Sequence, residues 1–333
     1  MRYRKLGCSG IEASVVGMGT WVTGGGATWG DEPDDTESVR AIHAALDNGI
    51  NLIDTSPVYG FGRSEEVVGK AIHDRRGKVV LATKCGLWLD DDRGSFFAEL
   101  EGRRMNRSLR PDTIQIEVER SMKRLQTDVI DLYQTHWPAM PPDKTPIEDT
   151  MACLSKLKDQ GKVRAIGVSN VSLDELIENT EHGEVASDQF RYSMLWRGAE
   201  GDVLPYCAET GIATLTYMSL EQGLLTGKVG MDRVFNDGDF RANEAWNPWY
   251  TPENRRKVLD LLADWSDLTL KYGCNLAQLV IAWTAAQHGV THVLAGARNV
   301  EQVEQNAAAA SLEIHPADLD RIRKDVEALG EPQ

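Results

Sequence analysis

With 333 residues, 41% of them apolar and 26% charged, the chain has the balance of an ordinary globular protein, long enough for two domains or for one α/β barrel. Lys and Arg total 36 against 51 Asp and Glu, and the resulting formal charge of -15 argues against nucleic-acid or anionic-membrane partners, while a local basic pocket can still take a small phosphorylated ligand. No apolar run approaches the ~18 residues of a membrane span, and no apolar stretch follows the basic start Met1-Arg2-Tyr3-Arg4-Lys5 as in a secretory signal. Cys8, Cys85, Cys153, Cys207 and Cys274 are scattered, without Cys-x-x-Cys or zinc-site spacing, so a cytoplasmic chain with reduced thiols and no metal is expected.

Short apolar runs alternate with amphipathic stretches along the chain. A first strand over 14–19 leads through a glycine-rich loop into a helix over 35–47. A strand over 51–54 and a helix over 64–75 follow, then a strand over 79–84. The spacing of 112–125 predicts a helix with Ile116, Met122 and Leu125 facing inward. The fourth unit is a strand over 129–136 and a helix over 147–160, with Gly161 placed for a left-handed C-terminal cap. A strand over 165–169 precedes Ser172, which with Glu175 forms a capping-box pattern. Segments 186–189, 211–217 and 289–295 supply strands six to eight, with further helices over 252–272 and 275–287.

This alternation predicts parallel strands with helical crossovers. Eight such units suit a single α/β domain over 1–333, a (β/α)8 TIM barrel whose active site lies at the strand C-termini. A doubly wound sheet also fits the rhythm, but no strand is followed by Gly-x-Gly-x-x-Gly: Gly60-Phe61-Gly62 has Glu65 where a third glycine belongs, and the run Gly223 to Lys228 is one residue short of a phosphate loop. Two long segments, 85–111 and 226–251, lack periodicity and are expected to overhang the catalytic face.

Asp54, Lys84 and His136 end three consecutive strands, and Tyr59 follows Asp54 by five residues. On a barrel these four meet at one rim. A phenol is a poor acid near neutrality, and an adjacent Lys84 ammonium would lower its pKa, with Asp54 holding the lysine charged and His136 aligning a carbonyl oxygen. Such a set can deliver a proton to an oxygen that gains negative charge during hydride transfer, or remove one from an alcohol. Lys84 is also compatible with Schiff-base lyase chemistry, which requires a neutral amine.

The same residues carry a resemblance. Gly17-Met18-Gly19-Thr20-Trp21, Asn51 to Gly60 with Gly62-Arg63-Ser64-Glu65, Ala82-Thr83-Lys84, Asp131 to His136, Ile166 to Asn170, Gly223 to Lys228 and Gly296 to Asn299 make the chain similar, over nearly its whole length, to the aldo-keto reductase superfamily. It resembles most the bacterial general reductases and sugar or polyol dehydrogenases, with channel beta subunits among the relatives. The resemblance implies a catalytic tetrad of Asp54, Tyr59, Lys84 and His136 and an extended NADPH or NADP+ in place of a Rossmann-bound dinucleotide. It further implies nicotinamide contacts from Ser169, Asn170 and Gln189, stacking on Tyr217, and contacts from Gly19, Thr20, Trp21 and Asp54. Met218, Ser219, Leu220, Gly223, Leu225, Gly227 and Lys228 are implied beside the pyrophosphate, and Gly296, Arg298, Gln302, Gln305 and Asn306 around the adenosine end. The fork of Arg298 suits a 2′-phosphate, favouring NADP(H) over NAD(H). Met218-Ser219 stands where relatives often carry Ser-Pro, which puts the stiffness of that loop in question.

Trp21, Trp88 and Trp137 follow strand ends and, with Tyr59 and His136, are expected to line the substrate pocket; Trp29, Trp246 and Trp249 are further wall candidates, and Trp265 and Trp283 read as core. The expected ligand is a small carbonyl or alcohol. A non-catalytic regulatory subunit is the alternative from another class, and no surface for self-assembly is assigned.

Overall fold

Eight parallel strands close into a barrel in sequence order: β1 (Val16–Gly19), β2 (Leu52–Asp54), β3 (Val80–Cys85), β4 (Ile130–Thr135), β5 (Val163–Ser169), β6 (Ser187–Arg191), β7 (Ala213–Tyr217) and β8 (His292–Gly296), with β8 pairing back to β1. The structure is a computed structural model, and it describes residues 1–26, 28–29, 33–236 and 238–332. The closed cylinder excludes the doubly wound alternative. The expected strands are all present, with ends displaced by a few residues. The first is the most altered: Glu12–Ser14 leaves the barrel to pair with Tyr3–Lys5 in an antiparallel hairpin.

That hairpin plugs the barrel floor. Its turn residues Leu6 and Ile11, with Ala13, pack against the inward side chains Leu52, Val80, Ala82, Leu132, Ala165, Ala213, Leu215 and Leu294. The outward positions, among them Leu81, Tyr133, Ile166 and Val168, join the larger core beneath the helices. Strands buried on both faces show continuous apolar runs instead of alternation. The period of two then carries Lys84 into the lumen above Ala82, and Gln134 above Leu132; Lys84 is registered opposite Gln134, and Asp54 opposite Gly19. The upper interior is therefore polar where the floor is apolar.

The helix Asp35–Asp47 has the expected bounds, and Ser172 and Glu175 form the reciprocal capping box. Gly161 follows the helix Ile147–Asp159 at φ 74, the left-handed position expected of it. The stretch 252–272 is two helices, Pro252–Asp264 and Ser266–Tyr272, separated at Trp265, whose indole is fully buried with Trp283 in a second apolar cluster. The helix Pro111–Leu125 buries Ile114, Glu117, Val118, Ser121 and Leu125, whereas Ile116 and Met122 are only partly buried. Polar Glu117 and Ser121 on the inner face hid that face from an apolar count.

The segment 85–111 is not an irregular loop. Leu87–Trp88, Ser95–Leu100 and Arg103–Arg107 form a three-stranded antiparallel sheet beside the barrel mouth. The segment 226–251 has only short 3-10 turns, Phe240–Ala242 and Pro248–Tyr250, and residue 237 within it lies outside the described residues, as do 27 and 30–32 of the glycine-rich loop. Among the described residues no helix is long and apolar enough to cross a membrane, and no group of three or more His, Cys, Asp or Glu could hold a metal.

Glu117 reaches from its helix to accept the Gly86 N–H at 2.9 Å, and burial pushes its carboxyl up to about 8. A carboxyl raised on folding contributes stability that is fully present below its unfolded value of 4.5 and is lost as pH rises toward 8. Glu117→Gln keeps the acceptor without the charge. It is expected to match the wild type near pH 4.5 and to exceed it at pH 9 by on the order of 2–4 kcal/mol, read from urea midpoints across that range; parallel pH curves for the two proteins would contradict this role.

Candidate active site

At the C-terminal mouth of the barrel a cleft of about 1160 Å³ runs from Tyr59 and His136 to Arg298. Lys84, fully buried in the upper lumen, donates to Asp54 Oδ1 at 2.6 Å, to the Thr55 carbonyl at 2.9 Å and to the Tyr59 hydroxyl at 3.3 Å. Burial alone would lower the ammonium pKa, but Asp54 and Tyr59 outweigh it and the net shift is upward. A lysine so paired stays charged, which removes the neutral amine that a Schiff-base lyase needs. Burial also raises the Tyr59 phenol; Lys84 opposes this and Asp54 adds to it. The expected pull of Lys84 is thus real but smaller than desolvation, and in the free protein the Tyr59 phenol keeps its proton.

His136 is nine-tenths buried, its ring edge-on to Tyr59 with centroids 5.8 Å apart. Burial, then the charges of Lys84 and Arg107, keep the imidazole pKa well below its usual value, so it is neutral. Its Nδ1 pairs with Ser56 Oγ at 3.1 Å, leaving Nε2 as the nitrogen a ligand can use.

Backbone geometry sets the position of Tyr59. Gly60 sits at φ 59, and a Cβ there would lie 2.3 Å from the Gly24 carbonyl oxygen, so the Tyr59 loop rests directly on the loop that follows β1. Behind it, Thr20, Thr55 and Ser64 share hydroxyl contacts of 2.8 and 2.9 Å, and Thr20 Oγ1 also donates to the Asp54 carbonyl. Thr20, expected at the cofactor, is fully buried in this support. Ser64 is a supporting residue that the sequence alone did not single out; its place in the Gly62-Arg63-Ser64-Glu65 run was the available signal.

Ser169, Asn170, Gln189 and Tyr217 line the opposite wall. Asn170 donates to the His136 carbonyl at 2.9 Å and accepts from the Tyr217 hydroxyl at 2.6 Å. Gln189 turns its amide nitrogen inward, to Asp54 Oδ2 at 2.9 Å. Gly19 and Trp21 line the cleft, as do Met218, Ser219, Leu220, Gly223 and Lys228. Leu225 is buried in the second apolar cluster, and neither it nor Gly227 lines the cleft. Met218, Glu221 and Gln222 all have left-handed backbone. Where relatives often stiffen this turn with proline, here buried Glu221 ties it down: Arg191 donates to its carboxylate at 2.6 Å, Ser193 Oγ at 2.5 Å, and Tyr250 OH to its carbonyl at 2.8 Å.

At the far end, Gly296, Arg298, Gln302, Gln305 and Asn306 all line the cleft. Gln302 Oε1 accepts the Arg298 N–H at 2.8 Å and Asn306 donates to the Gly296 carbonyl at 3.2 Å. Arg233 and Arg241 face the same cleft from the 226–251 segment; the sequence shows that segment as a long loop, but its arginines follow no spacing that points to a site.

Trp21 lies 6.2 Å from Tyr59 and packs on Trp29 and Phe240. Trp137, Trp29 and Trp246 also line the cleft. Trp88 does not: its indole is buried with Nε1 donating to Asp91 at 2.8 Å and Arg93 stacked on its face, because the side sheet turns it away from the mouth. Leu87 takes the wall position instead. Trp249 is buried in the second apolar cluster.

A profile of the Aldo/keto reductase family matches residues 15–327. The chain is 41% identical over 331 residues to a protein of Escherichia coli named NADH-specific methylglyoxal reductase, covering 99% of each. Among solved structures, a glycerol dehydrogenase of Gluconobacter oxydans is similar with TM-score 0.86 and 37% identity, covering 99% of this chain and 96% of that one. An aldo/keto reductase of Klebsiella pneumoniae, solved with NADP and acetate, is similar with TM-score 0.71 and 27% identity, over 100% of this chain and 97% of that one.

Gly60→Ala places a methyl group against backbone that cannot yield. The variant is expected to lose about 1–3 kcal/mol of stability and at least about tenfold in kcat/KM, measured by denaturant unfolding and steady-state turnover. Wild-type values for both would show that the Gly24–Gly60 contact does not set Tyr59.

Proposed function

The chain belongs to the aldo/keto reductase family, oxidoreductases that interconvert carbonyls and alcohols, and from that premise we propose an NADP(H)-dependent reductase in which Tyr59 is the general acid and base. The observation that carries this reading is the Lys84 ammonium, shared between Asp54 at 2.6 Å and the Tyr59 hydroxyl at 3.3 Å, with neutral His136 facing the same space.

The residues present fit a dinucleotide. The cleft is long, and Lys228, Arg233, Arg241 and Arg298 line it in a chain of net charge -15. Both polar atoms of the Gln222 amide, in the left-handed turn beside Gly223, are buried without a hydrogen-bond partner among the described residues. Ser169, Asn170 and Gln189 would hold the carboxamide and Tyr217 the ring face, with Met218 to Gly223 and Lys228 along the pyrophosphate. When bound, the reduced nicotinamide supplies the hydride. His136 Nε2 orients the substrate oxygen, and Trp21, Trp137 and Leu87 exclude water around it. Tyr59 gives its proton to that oxygen as negative charge develops, and the Lys84 ammonium stabilises the phenolate left behind.

Tyr59→Phe removes the proton without disturbing the ring. Loss of kcat by about 10²–10⁴-fold is expected, with the cofactor Kd within about twofold of the wild type; unchanged turnover would remove Tyr59 from the chemistry.

The E. coli relative is named NADH-specific, whereas the Klebsiella structure holds NADP. Arg298, at the far end of the cleft, supports NADP(H) for this chain. Arg298→Ala is expected to weaken NADP(H) about 10–100-fold and NAD(H) by no more than about threefold in binding titrations. Equal losses for both would reject a 2′-phosphate contact.

A further inference from the structure

Gln134 is fully buried in the barrel interior, two residues before His136, and the chemistry above leaves it without a task. Its Nε2 donates to Asp54 Oδ2 at 3.2 Å, and its Oε1 accepts from Gln189 Nε2 at 3.2 Å. Gln189 Nε2 also donates to the same Asp54 oxygen at 2.9 Å. Asp54 Oδ1 is taken by Lys84. The three side chains form a closed triangle at the top of the lumen.

The chemistry of the triangle admits one arrangement. An ionised carboxylate only accepts, so each glutamine must turn its amide nitrogen toward Asp54. The second N–H of Gln189 is then spent on Gln134 Oε1. What remains of the Gln189 amide is its carbonyl oxygen, and Gln189 lines the cleft. Without Gln134, the second N–H of Gln189 has no acceptor inside the barrel, and the amide is held by its single bond to Asp54.

We propose that Gln134 is a positioning residue: its paired bonds to Asp54 and Gln189 lock Gln189 with its carbonyl oxygen toward the cleft, where it accepts an N–H of the cofactor carboxamide. The catalytic carboxylate and the carboxamide-reading amide thus belong to one network. The inference rests on the reading of Gln189 as a carboxamide contact. It predicts selectivity for a ligand that donates at this point, since a polar group left unpaired in a buried site discriminates strongly.

The probe is the oxidised dinucleotide that the wild type binds more tightly, compared with its 3-acetylpyridine analogue, in which methyl replaces the amide NH2. Both are titrated by intrinsic tryptophan fluorescence, which reads binding without turnover. The wild type is expected to bind the carboxamide form at least about tenfold more tightly. In Gln134→Leu, Gln189 keeps only its bond to Asp54, its carbonyl oxygen is no longer fixed by two bonds, and the preference is expected to fall to about threefold or less. Gln134→Met, closer in length, serves the same comparison should the leucine variant not fold. A preference that persists in the folded variant, even with weaker binding of both ligands, would overturn the role of Gln134. Gln189→Leu separates the premise: it should weaken the carboxamide form about tenfold, and unchanged affinity there would overturn the Gln189 reading itself.

Discussion

A lysine and an aspartate removed from water and set 2.6 Å apart are the constraint around which this barrel mouth is arranged. Burying two charges is costly, and leaving either without the other costs about 3–5 kcal/mol, so the pair is kept only where geometry and extra hydrogen bonds complete it. Here they do. The Thr55 carbonyl takes a second lysine hydrogen, and two glutamine amides take the other carboxylate oxygen. The third lysine partner is the Tyr59 hydroxyl, and through it the ion pair faces the cleft. The same positive charge helps to keep His136 neutral. One buried ammonium therefore acts on both neighbours, adding to the effect of burial at His136 and opposing it at Tyr59.

The surroundings of that pair divide into a rigid floor and a mouth built from loops. The N-terminal hairpin and the apolar inward side chains make the floor a packed core, which lets the upper lumen be polar without water entering from below. Above, the loop after β1 touches three elements. Gly24 meets Gly60, a Cβ added to Gly26 would lie 2.7 Å from a Glu101 oxygen at the tip of the side sheet, and the Thr28 carbonyl accepts the Phe240 N–H at 2.9 Å. Trp21, Trp29, Phe240 and Trp246 pack where these segments join. The long segments 85–111 and 226–251 reach the cleft by these contacts, the first as an ordered sheet and the second as a chain of short turns.

Much of the barrel was legible in order because each unit buries its strand on both faces and one stripe of its helix, and those patterns are local. The helix 35–47 and the Ser172 capping box were readable for the same reason. The helix 111–125 misled because Glu117 and Ser121 occupy inward positions, and Glu117 is tolerated there only through the Gly86 N–H and a held proton. The side sheet was not legible: its strands are short, carry charged residues on both faces and are held by pairing with one another. Trp88 illustrates the consequence. Its position after β3 pointed to the pocket, but the strand it joins turns the indole onto Asp91 and Arg93.

Residue types at strand ends determined on their own that an acid, a lysine and an imidazole would share one rim, because a barrel brings consecutive strand ends together, whereas the phenol of Tyr59 is set by its loop. Only the tertiary structure decided how those groups are charged and aimed. Desolvation, which outweighs the pull of Lys84 on Tyr59, is a property of everything packed around the phenol and is written in no single stretch of chain. The inward turn of Gln189 depends on Gln134 and Asp54, 55 and 135 residues away in sequence, which meet it only when the cylinder closes.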